Sequence, residues 1–257
     1  MRDKRDGNFR VVVALGSFMW CALSVLLLLA GCSGGGRRGA QQDERNQTEG
    51  AVMKRLFLCS SFADVSDLLP GFAGNERGEV VTFIPTAALH EEYNQYVEDG
   101  RRALERLGYT VEVLEVTQAT AEEIAQALEK NDCIYVSGGN PFFLMQELRK
   151  KEADRAIVRR VEAGALYIGE SAGSMIAAPN IAYAQVMDSA ETAYTPGFRD
   201  FDALGLVDFY TVPHYGCPPF EEAAEETMQT YRHLELRPIT NTQAICVEGD
   251  RTEICSR

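Results

Sequence analysis

From residue 53 onward, short apolar runs alternate with amphipathic segments of helical period, and this alternation restricts the fold more than any other feature of the chain. The runs predict six strands, at 56–59, 80–84, 111–116, 133–136, 166–169 and 206–212. The segments between them predict helices at 90–107, 121–130, 142–151 and 153–163. Near-continuous apolar strands alternating with helices are typical of a parallel sheet covered on both faces. We therefore predict one α/β domain at 53–257, with a doubly wound, mostly parallel sheet.

The charge of the chain excludes a nucleic-acid partner. The 257 residues have a formal net charge of −13, and residues 1–52 carry seven basic and five acidic side chains. The predicted domain at 53–257 therefore has a net charge of −15. Nonspecific affinity for nucleic acids comes from Lys and Arg side chains that neutralise phosphates.

The cysteines give no sign of a metal site. The sequence contains no C-x-x-C pair, so neither a zinc knuckle nor a thioredoxin-type redox pair is predicted. Cys59, Cys133 and Cys246 lie in apolar runs, where a free cysteine behaves as a small core residue. We predict a reduced domain that needs no metal and no cofactor.

Residues 1–52 differ from the rest, and two interpretations remain open. A basic start, an apolar stretch at 11–30 and the residues LAGC ending at Cys32 resemble a bacterial lipoprotein signal followed by a flexible tether. This interpretation predicts a protein anchored to a membrane only through a lipid on Cys32. Alternatively, translation starts at Met53, directly before the first strand, and the leader is an over-extended gene start. The protein would then be cytoplasmic.

The residues after the fifth predicted strand have the pattern of a nucleophile. Residues 169–173 (GESAG) form a G-x-S-x-G motif between a strand and a helical segment. Such a turn raises the serine hydroxyl above the sheet, and the following helix start favours developing negative charge. We predict Ser171 as the nucleophile; the alternative is an ordinary tight turn.

A second strand end supplies candidate donors. Residues 137–141 (SGGNP) follow the fourth predicted strand. A glycine pair lets backbone N–H groups approach a substrate closely, which suits an oxyanion hole. Gly138, Gly139 and Asn140 are therefore candidates for oxyanion or substrate contacts. The alternative is a plain turn, with Pro141 as the first residue of a helix.

A serine nucleophile needs a base. His214 follows the last predicted strand, at a carboxyl end like that of Ser171, whereas His90 and His233 lie in charged segments that predict exposure. A carboxylate should fix the imidazole tautomer. Asp188, in the short connection between Ser171 and His214, is the candidate. The alternatives are Asp200, Asp202 and Asp208.

Taken together, these motifs resemble the peptidase E family of serine peptidases, also called aspartyl dipeptidases. The resemblance rests on residues 136–140 (VSGGN), 164–173 (GALYIGESAG), 213–215 (PHY) and Pro179, and covers nearly all of 53–257. It implies a flavodoxin-like fold similar to class I glutamine amidotransferases, with serine replacing their cysteine. It also implies dipeptidase-like cleavage of short peptides, with Ser171 as nucleophile, His214 as base, and N–H groups near Gly139 and Ala172 as the oxyanion hole. The alternatives are a non-catalytic sensor or a cyanophycinase- or amidase-like hydrolase.

Two departures from that family affect these expectations. Some members have a Glu on a loop after the histidine, but residues 239–243 (ITNTQ) contain no carboxylate, which favours Asp188. The aspartyl dipeptidases also bind the N-terminal Asp of the substrate through an Arg after the histidine. Residues 215–230 contain no Arg or Lys and hold four glutamates, which would repel an acidic side chain. We therefore expect that specificity for Asp-X dipeptides does not carry over.

Overall fold

Residues 53–74 and 80–257, which the computed structural model describes, form nine β-strands and eight α-helices. The strands are β1 Arg55–Cys59, β2 Val80–Ile84, β3 Thr110–Val113, β4 Cys133–Val136, β5 Leu166–Glu170, β6 Tyr210–Val212, β7 Leu236–Pro238, β8 Gln243–Glu248 and β9 Arg251–Ser256. The helices are α1 Phe62–Val65, α2 Leu69–Ala73, α3 Gln95–Arg106, α4 Ala121–Lys130, α5 Pro141–Lys150, α6 Ala153–Glu162, α7 Ala172–Met175 and α8 Glu221–Thr230.

A seven-stranded sheet with the order β3-β2-β4-β5-β1-β8-β9 forms the centre of this part of the chain. The first five strands in that order are parallel to one another, whereas β8 and β9 add antiparallel pairs at one side. Strands β4 and β5 are buried at every residue, as expected for central strands covered on both faces. The predicted α/β class with a mostly parallel sheet is confirmed.

Alternate residues of the central strands fill two separate cores. In β5, the side chain of Tyr167 lies in one core and those of Leu166 and Ile168 lie in the other. The first core includes residues of α4, α5 and α6, and the second includes residues of α1, α2 and α3. Helices therefore cover both faces of the sheet. Burial of each large apolar side chain contributes about 1.5–3 kcal/mol to these cores.

The structure corrects several predicted elements. Only Tyr210–Val212 of the predicted strand at 206–212 is a strand, and it pairs with β7 in a separate two-stranded sheet. The start of the predicted segment is a loop instead, in which the N–H of Leu206 donates to the carbonyl of Ala177. Helix α3 begins at Gln95 instead of residue 90, and α8 was not predicted. Strands β7, β8 and β9 also lie outside the predicted six; most residues of β9 are exposed, so that no apolar run marks it.

No helix within 53–74 or 80–257 is both long enough and apolar enough to cross a bilayer. The predictions for residues 1–52, including a lipid anchor at Cys32, lie outside the described residues.

Backbone atoms approach two positions of the G-x-S-x-G motif so closely that those positions accept only glycine. A Cβ on Gly173 would lie 2.2 Å from the carbonyl oxygen of Val136, and a Cβ on Gly169 would lie 2.6 Å from the oxygen of Gly173. Neither glycine has a positive φ. Close packing of backbone, and not backbone freedom, therefore explains the glycines of the G-x-S-x-G motif.

Gly173→Ala should destabilise the protein, because the new methyl group would overlap the backbone of β4. We expect a loss of at least about 2 kcal/mol in the free energy of unfolding, measured by urea denaturation. Gly71→Ala is the matched control, since a Cβ at that helical glycine meets nothing within 4 Å. It should leave stability within about 1 kcal/mol of wild type. Equal stability of the two variants would contradict this account of the turn.

Candidate active site

Ser171 occupies a strained backbone conformation between β5 and α7. Its φ of 47° and ψ of −106° lie outside the regions that non-glycine residues normally adopt. Hydrogen bonds on both sides hold it there: its N–H donates to the carbonyl of Cys59 at 2.8 Å, and its carbonyl accepts from Ser174 and Met175 at 2.9 Å. Such strain costs about 1–3 kcal/mol and is concentrated at functional sites.

The side chains of Ser171, His214 and Asn241 form a continuous hydrogen-bonded chain. Ser171 Oγ lies 2.9 Å from His214 Nε2, and His214 Nδ1 lies 2.8 Å from Asn241 Oδ1. Because an amide oxygen only accepts, it fixes the proton of the neutral imidazole on Nδ1. Nε2 is then left with a lone pair facing the Ser171 hydroxyl, so the geometry suits removal of the hydroxyl proton.

The surroundings of His214 favour its neutral form. Burial lowers its pKa below the ordinary value, although the hydrogen bond to Asn241 acts in the opposite direction. The ring of Phe220 stacks on the imidazole with a centroid distance of 5.0 Å, and the N–H of His214 donates to Ser60 Oγ at 3.0 Å. The imidazole is therefore oriented, and it is ready to accept a proton at neutral pH.

The structure does not bring Asp188 to His214, contrary to the predicted contact. Nδ1 of His214 faces Asn241, and no ion pair joins Asp188 to a histidine within 53–74 and 80–257. Among the alternatives, Asp200 contacts Arg149, and both Asp202 and Asp208 are exposed. The sequence analysis missed Asn241 because it looked only for a carboxylate as the partner of His214. The informative signal was the position, since Asn241 lies in the stretch to which the family resemblance assigns the acid of some members.

Asp188 instead lies near the loop that follows β4. The carbonyl of its neighbour Ser189 accepts a hydrogen bond from Asn140 Nδ2 at 3.1 Å. Burial raises the pKa of Asp188 to about 7, and the negative charge of Glu91 acts in the same direction. Burial also raises the pKa of Tyr96, with Glu91 and Asp188 among the further causes. Acidic side chains are therefore grouped on this side of the candidate site.

The backbone N–H groups predicted to bind an oxyanion fall into two groups, those that are hydrogen-bonded within the fold and those that are not. The N–H groups of Ser137 and Asn140 donate to the carbonyls of Ile84 and Ala87, and the Asn140 side chain caps α5. Asn140 is thus engaged within the fold. The N–H groups of Gly139 and Ala172 donate to no backbone carbonyl in the described part of the chain, which leaves them available for an oxyanion.

Gly139 is required at its position by both conformation and space. Its φ is +128°, and a Cβ there would lie 2.2 Å from the carbonyl oxygen of Ala87. Gly138 lies beside Ser171, because a Cβ on it would be 3.3 Å from both Ser171 Cβ and the ring of Tyr96. The glycine pair therefore lies next to the serine, as the two strand ends predict.

The other candidate groups lie elsewhere. His90 and His233 are exposed, and His90 stacks on the ring of Tyr194 at a centroid distance of 3.4 Å. Within 53–74 and 80–257, no group of three or more His, Cys, Asp or Glu side chains is arranged to hold a metal ion.

Comparison with known proteins points to one family. The sequence profile of peptidase family S51 matches residues 56–255. An uncharacterized peptidase of Pasteurella multocida is 52% identical over 199 residues, which are 77% of this chain and 95% of that protein. Peptidase E of Salmonella arizonae is 35% identical over 168 residues, which are 65% of this chain and 69% of that protein. The resemblance to the peptidase E family is confirmed.

Solved structures agree with the fold. A candidate peptidase E from Listeria monocytogenes superimposes with a TM-score of 0.75 at 47% identity, covering 80% of this chain and 99% of that chain. A peptidase from an acI-B1 actinobacterium has a TM-score of 0.59 at 21% identity, covering 80% of this chain and 89% of that chain, and supports the fold alone.

Asp188→Asn should stabilise the protein at high pH. The pKa of Asp188 is raised to about 7, so the folded state binds its proton more tightly than the unfolded state does. Wild-type stability is therefore lost as pH rises from about 4 through about 7. We expect the variant to gain about 1–2 kcal/mol relative to wild type between pH 5 and pH 8, measured by urea unfolding. The exposed Asp208→Asn is the control, and an equal gain in both variants would contradict the assignment.

Proposed function

The chain belongs to peptidase family S51, and on this premise we propose that it is a serine-type, dipeptidase-like hydrolase that cleaves short peptides through an acyl-enzyme on Ser171. The observation that carries the proposal is the 2.9 Å contact between Ser171 Oγ and His214 Nε2, with His214 held in the required tautomer by Asn241. The strained backbone of Ser171 supports the same role, since it matches a nucleophile elbow.

The reaction follows from these contacts. Ser171 Oγ attacks the carbonyl carbon of the peptide bond while His214 Nε2 takes the hydroxyl proton, and the carbonyl oxygen becomes an oxyanion facing the N–H groups of Gly139 and Ala172. The imidazolium then gives its proton to the leaving nitrogen as the C–N bond breaks. Water attacks the resulting ester, with His214 again as base, and release of the acid restores Ser171.

Asn241 acts on the imidazole through orientation. Its Oδ1 accepts from Nδ1–H in both the neutral and the protonated ring, so that Nε2 faces Ser171 throughout the reaction. A neutral amide stabilises the imidazolium less than a carboxylate would. The histidine therefore depends on Asn241 for its direction more than for its charge.

Substitution of the three groups should separate their roles. Ser171→Ala should lower kcat by about 10⁴-fold or more, because the nucleophile is lost. Asn241→Ala should lower kcat by about 10–100-fold, since the imidazole loses its orienting partner. Asp188→Asn should lower kcat by less than Asn241→Ala does. Steady-state kinetics on Ala-Leu, together with the rate of fluorophosphonate labelling, measures all three.

Two outcomes would contradict the proposal. If wild-type protein is not labelled by the fluorophosphonate and cleaves no peptide, a binding protein on the same fold becomes the better description. If Asp188→Asn loses more than 100-fold in kcat while Asn241→Ala stays near wild type, Asp188 reaches the histidine during turnover. Ser171→Ala serves as the unlabelled control in both measurements.

Peptides with a neutral or basic first residue should be cleaved at least as well as Asp-Leu. Glu91 and Asp188 lie on the side of Tyr96, next to Gly138, and they disfavour an acidic side chain there. Two arginines that could instead supply a positive charge are engaged in other contacts: Arg199 pairs with Glu191, and Arg237 packs over a phenylalanine ring.

Values of kcat/KM for Asp-Leu, Ala-Leu and Lys-Leu measure this preference. A strong preference for Asp-Leu would refute it and point to an arginine that enters the site. Arg199→Ala identifies that arginine, because Arg199 lines the cavity of about 480 Å³ beside Asp188. The variant should then lose activity on Asp-Leu selectively.

A further inference from the structure

Ser60 carries a buried hydroxyl group that takes no part in the steps of the proposed reaction. It follows Cys59, the last residue of β1, and only 1% of it is exposed. Its hydroxyl donates to the carbonyl of Ile239 at 3.1 Å and accepts from the N–H of His214 at 3.0 Å. These two partners lie 179 and 154 residues further along the chain. Ser60 therefore joins the end of β1 to the turn that carries the proposed base.

The backbone of His214 has a left-handed conformation. Its φ is 60°, a value that residues other than glycine rarely adopt. No backbone carbonyl in the described part of the chain accepts its N–H, so the hydroxyl of Ser60 is the acceptor that ties this residue to the sheet. The carbonyl of His214 accepts from the N–H of Cys217 at 2.9 Å. Because a strained backbone persists only where its surroundings hold it, these contacts maintain the conformation of His214.

The second contact of Ser60 fixes the direction of its hydroxyl group. Because the hydrogen points to the carbonyl of Ile239, a lone pair of Oγ is left for the N–H of His214. The same carbonyl accepts from the N–H of Tyr215 at 3.0 Å. Ile239 lies two residues before Asn241, whose side chain contacts His214 Nδ1. Ser60 thus contacts both the segment of the proposed base and the segment of its orienting partner.

Two consecutive residues at the end of β1 hold the backbones of the two groups that must meet. The carbonyl of Cys59 accepts from the N–H of Ser171 at 2.8 Å. The next residue, Ser60, accepts from the N–H of His214. Both Ser171 and His214 have a positive φ, of 47° and 60°. The 2.9 Å contact between Ser171 Oγ and His214 Nε2 is therefore formed by two strained residues that one dipeptide holds.

We propose that Ser60 is a positioning residue: its hydroxyl holds the backbone N–H of His214 and so sets the distance at which the imidazole meets Ser171. This inference rests on the proposed function, because it requires a reaction at Ser171. Without the hydroxyl, the N–H of His214 loses its acceptor and the backbone is free to leave the left-handed conformation. The imidazole would move with it, and a displacement of about 1 Å lowers a rate by about 100-fold.

Ser60→Ala tests the inference, because it removes the oxygen without adding volume. We expect kcat on Ala-Leu to fall about 10–100-fold, with KM within about threefold of wild type, since the substrate still binds while proton removal from Ser171 becomes slower. The rate of fluorophosphonate labelling should fall by a similar factor, because labelling requires the same proton transfer. Concentrations are corrected by labelling the active sites to completion, which removes any contribution from unfolded protein.

Ser60→Thr and Ser60→Val separate the hydroxyl group from the packing around it. The two side chains have nearly the same shape, so any strain from the added carbon atoms is common to both, and only threonine keeps a hydroxyl. Ser60→Thr should therefore exceed Ser60→Val by at least about tenfold in both kcat and labelling rate. Equal rates in these two variants would overturn the inference.

Ser60→Cys replaces Ser60→Ala if the alanine variant does not fold. The thiol is a weaker acceptor than a hydroxyl, so it holds the N–H of His214 less firmly. We expect kcat to fall at least about threefold at an unchanged KM. Wild-type kcat in Ser60→Cys would then count against the inference.

Thr82→Val is the matched control, because Thr82 of β2 is a fully buried residue whose hydroxyl makes the same two kinds of contact. Its Oγ1 donates to the carbonyl of Ala127 at 3.1 Å and accepts from Asn131 Nδ2 at 2.9 Å. The variant should keep the wild-type kcat per active site and the wild-type labelling rate. If removal of the Ser60 hydroxyl likewise lowers only the active-site content and leaves both rates unchanged, its role is merely structural.

The double variant Ser60→Ala/Asn241→Ala tests whether both side chains act through the same imidazole. Residues that act through one group are not additive in their effects on rate, so the double variant should lose at least about threefold less kcat than the product of the two single losses. Losses that multiply, or wild-type kcat in Ser60→Ala, overturn this inference alone. Wild-type protein that neither cleaves Ala-Leu nor labels at Ser171 overturns it together with the proposed function.

Discussion

The contact between the turn after β5 and the end of β4 is the constraint on which the rest of the site depends. The backbone of Gly173 lies so close to the carbonyl of Val136 that no side chain fits between them. This approach brings the two strand ends together and leaves Ser171 in a strained conformation that its hydrogen bonds to Cys59 and α7 maintain. The position of Ser171 is thus determined by packing within the sheet.

The neutral partner of His214 fits the electrostatics of this side of the molecule. The chain is acidic overall, and Glu91, Glu170 and Asp188 lie around the candidate site. A carboxylate in place of Asn241 would favour the imidazolium and add a further negative charge. The amide fixes the tautomer without adding a charge and favours the imidazolium less, so that burial keeps the pKa of His214 below its ordinary value. Asn241 therefore orients the imidazole of His214 without adding a charge to the site.

Two buried acids near the candidate site make the stability of the fold depend on pH. Burial raises the pKa values of both Glu170 and Asp188 to about 7, so stability is lost as pH rises from about 4 through about 7 and each acid ionises in the fold. Ionised Glu170 nevertheless accepts hydrogen bonds from the N–H of Phe62 and the hydroxyl of Tyr135. Groups with strongly shifted pKa values are concentrated at functional sites. The arrangement of such a site lowers the stability of the fold.

The sequence by itself determined the parallel sheet, the turn that carries Ser171 and the placement of His214 at a strand end, because these features follow from local patterns of apolar residues, glycines and polar residues at strand ends. Strand β9 and helix α8 escaped prediction, since mostly exposed elements lack such a pattern. Only the tertiary structure decided which side chain meets His214 Nδ1 and which donors surround Glu170. Those contacts join residues far apart in the chain, such as Phe62 and Glu170. A partner of this kind is selected by distance and direction in space, which residue type and spacing do not specify.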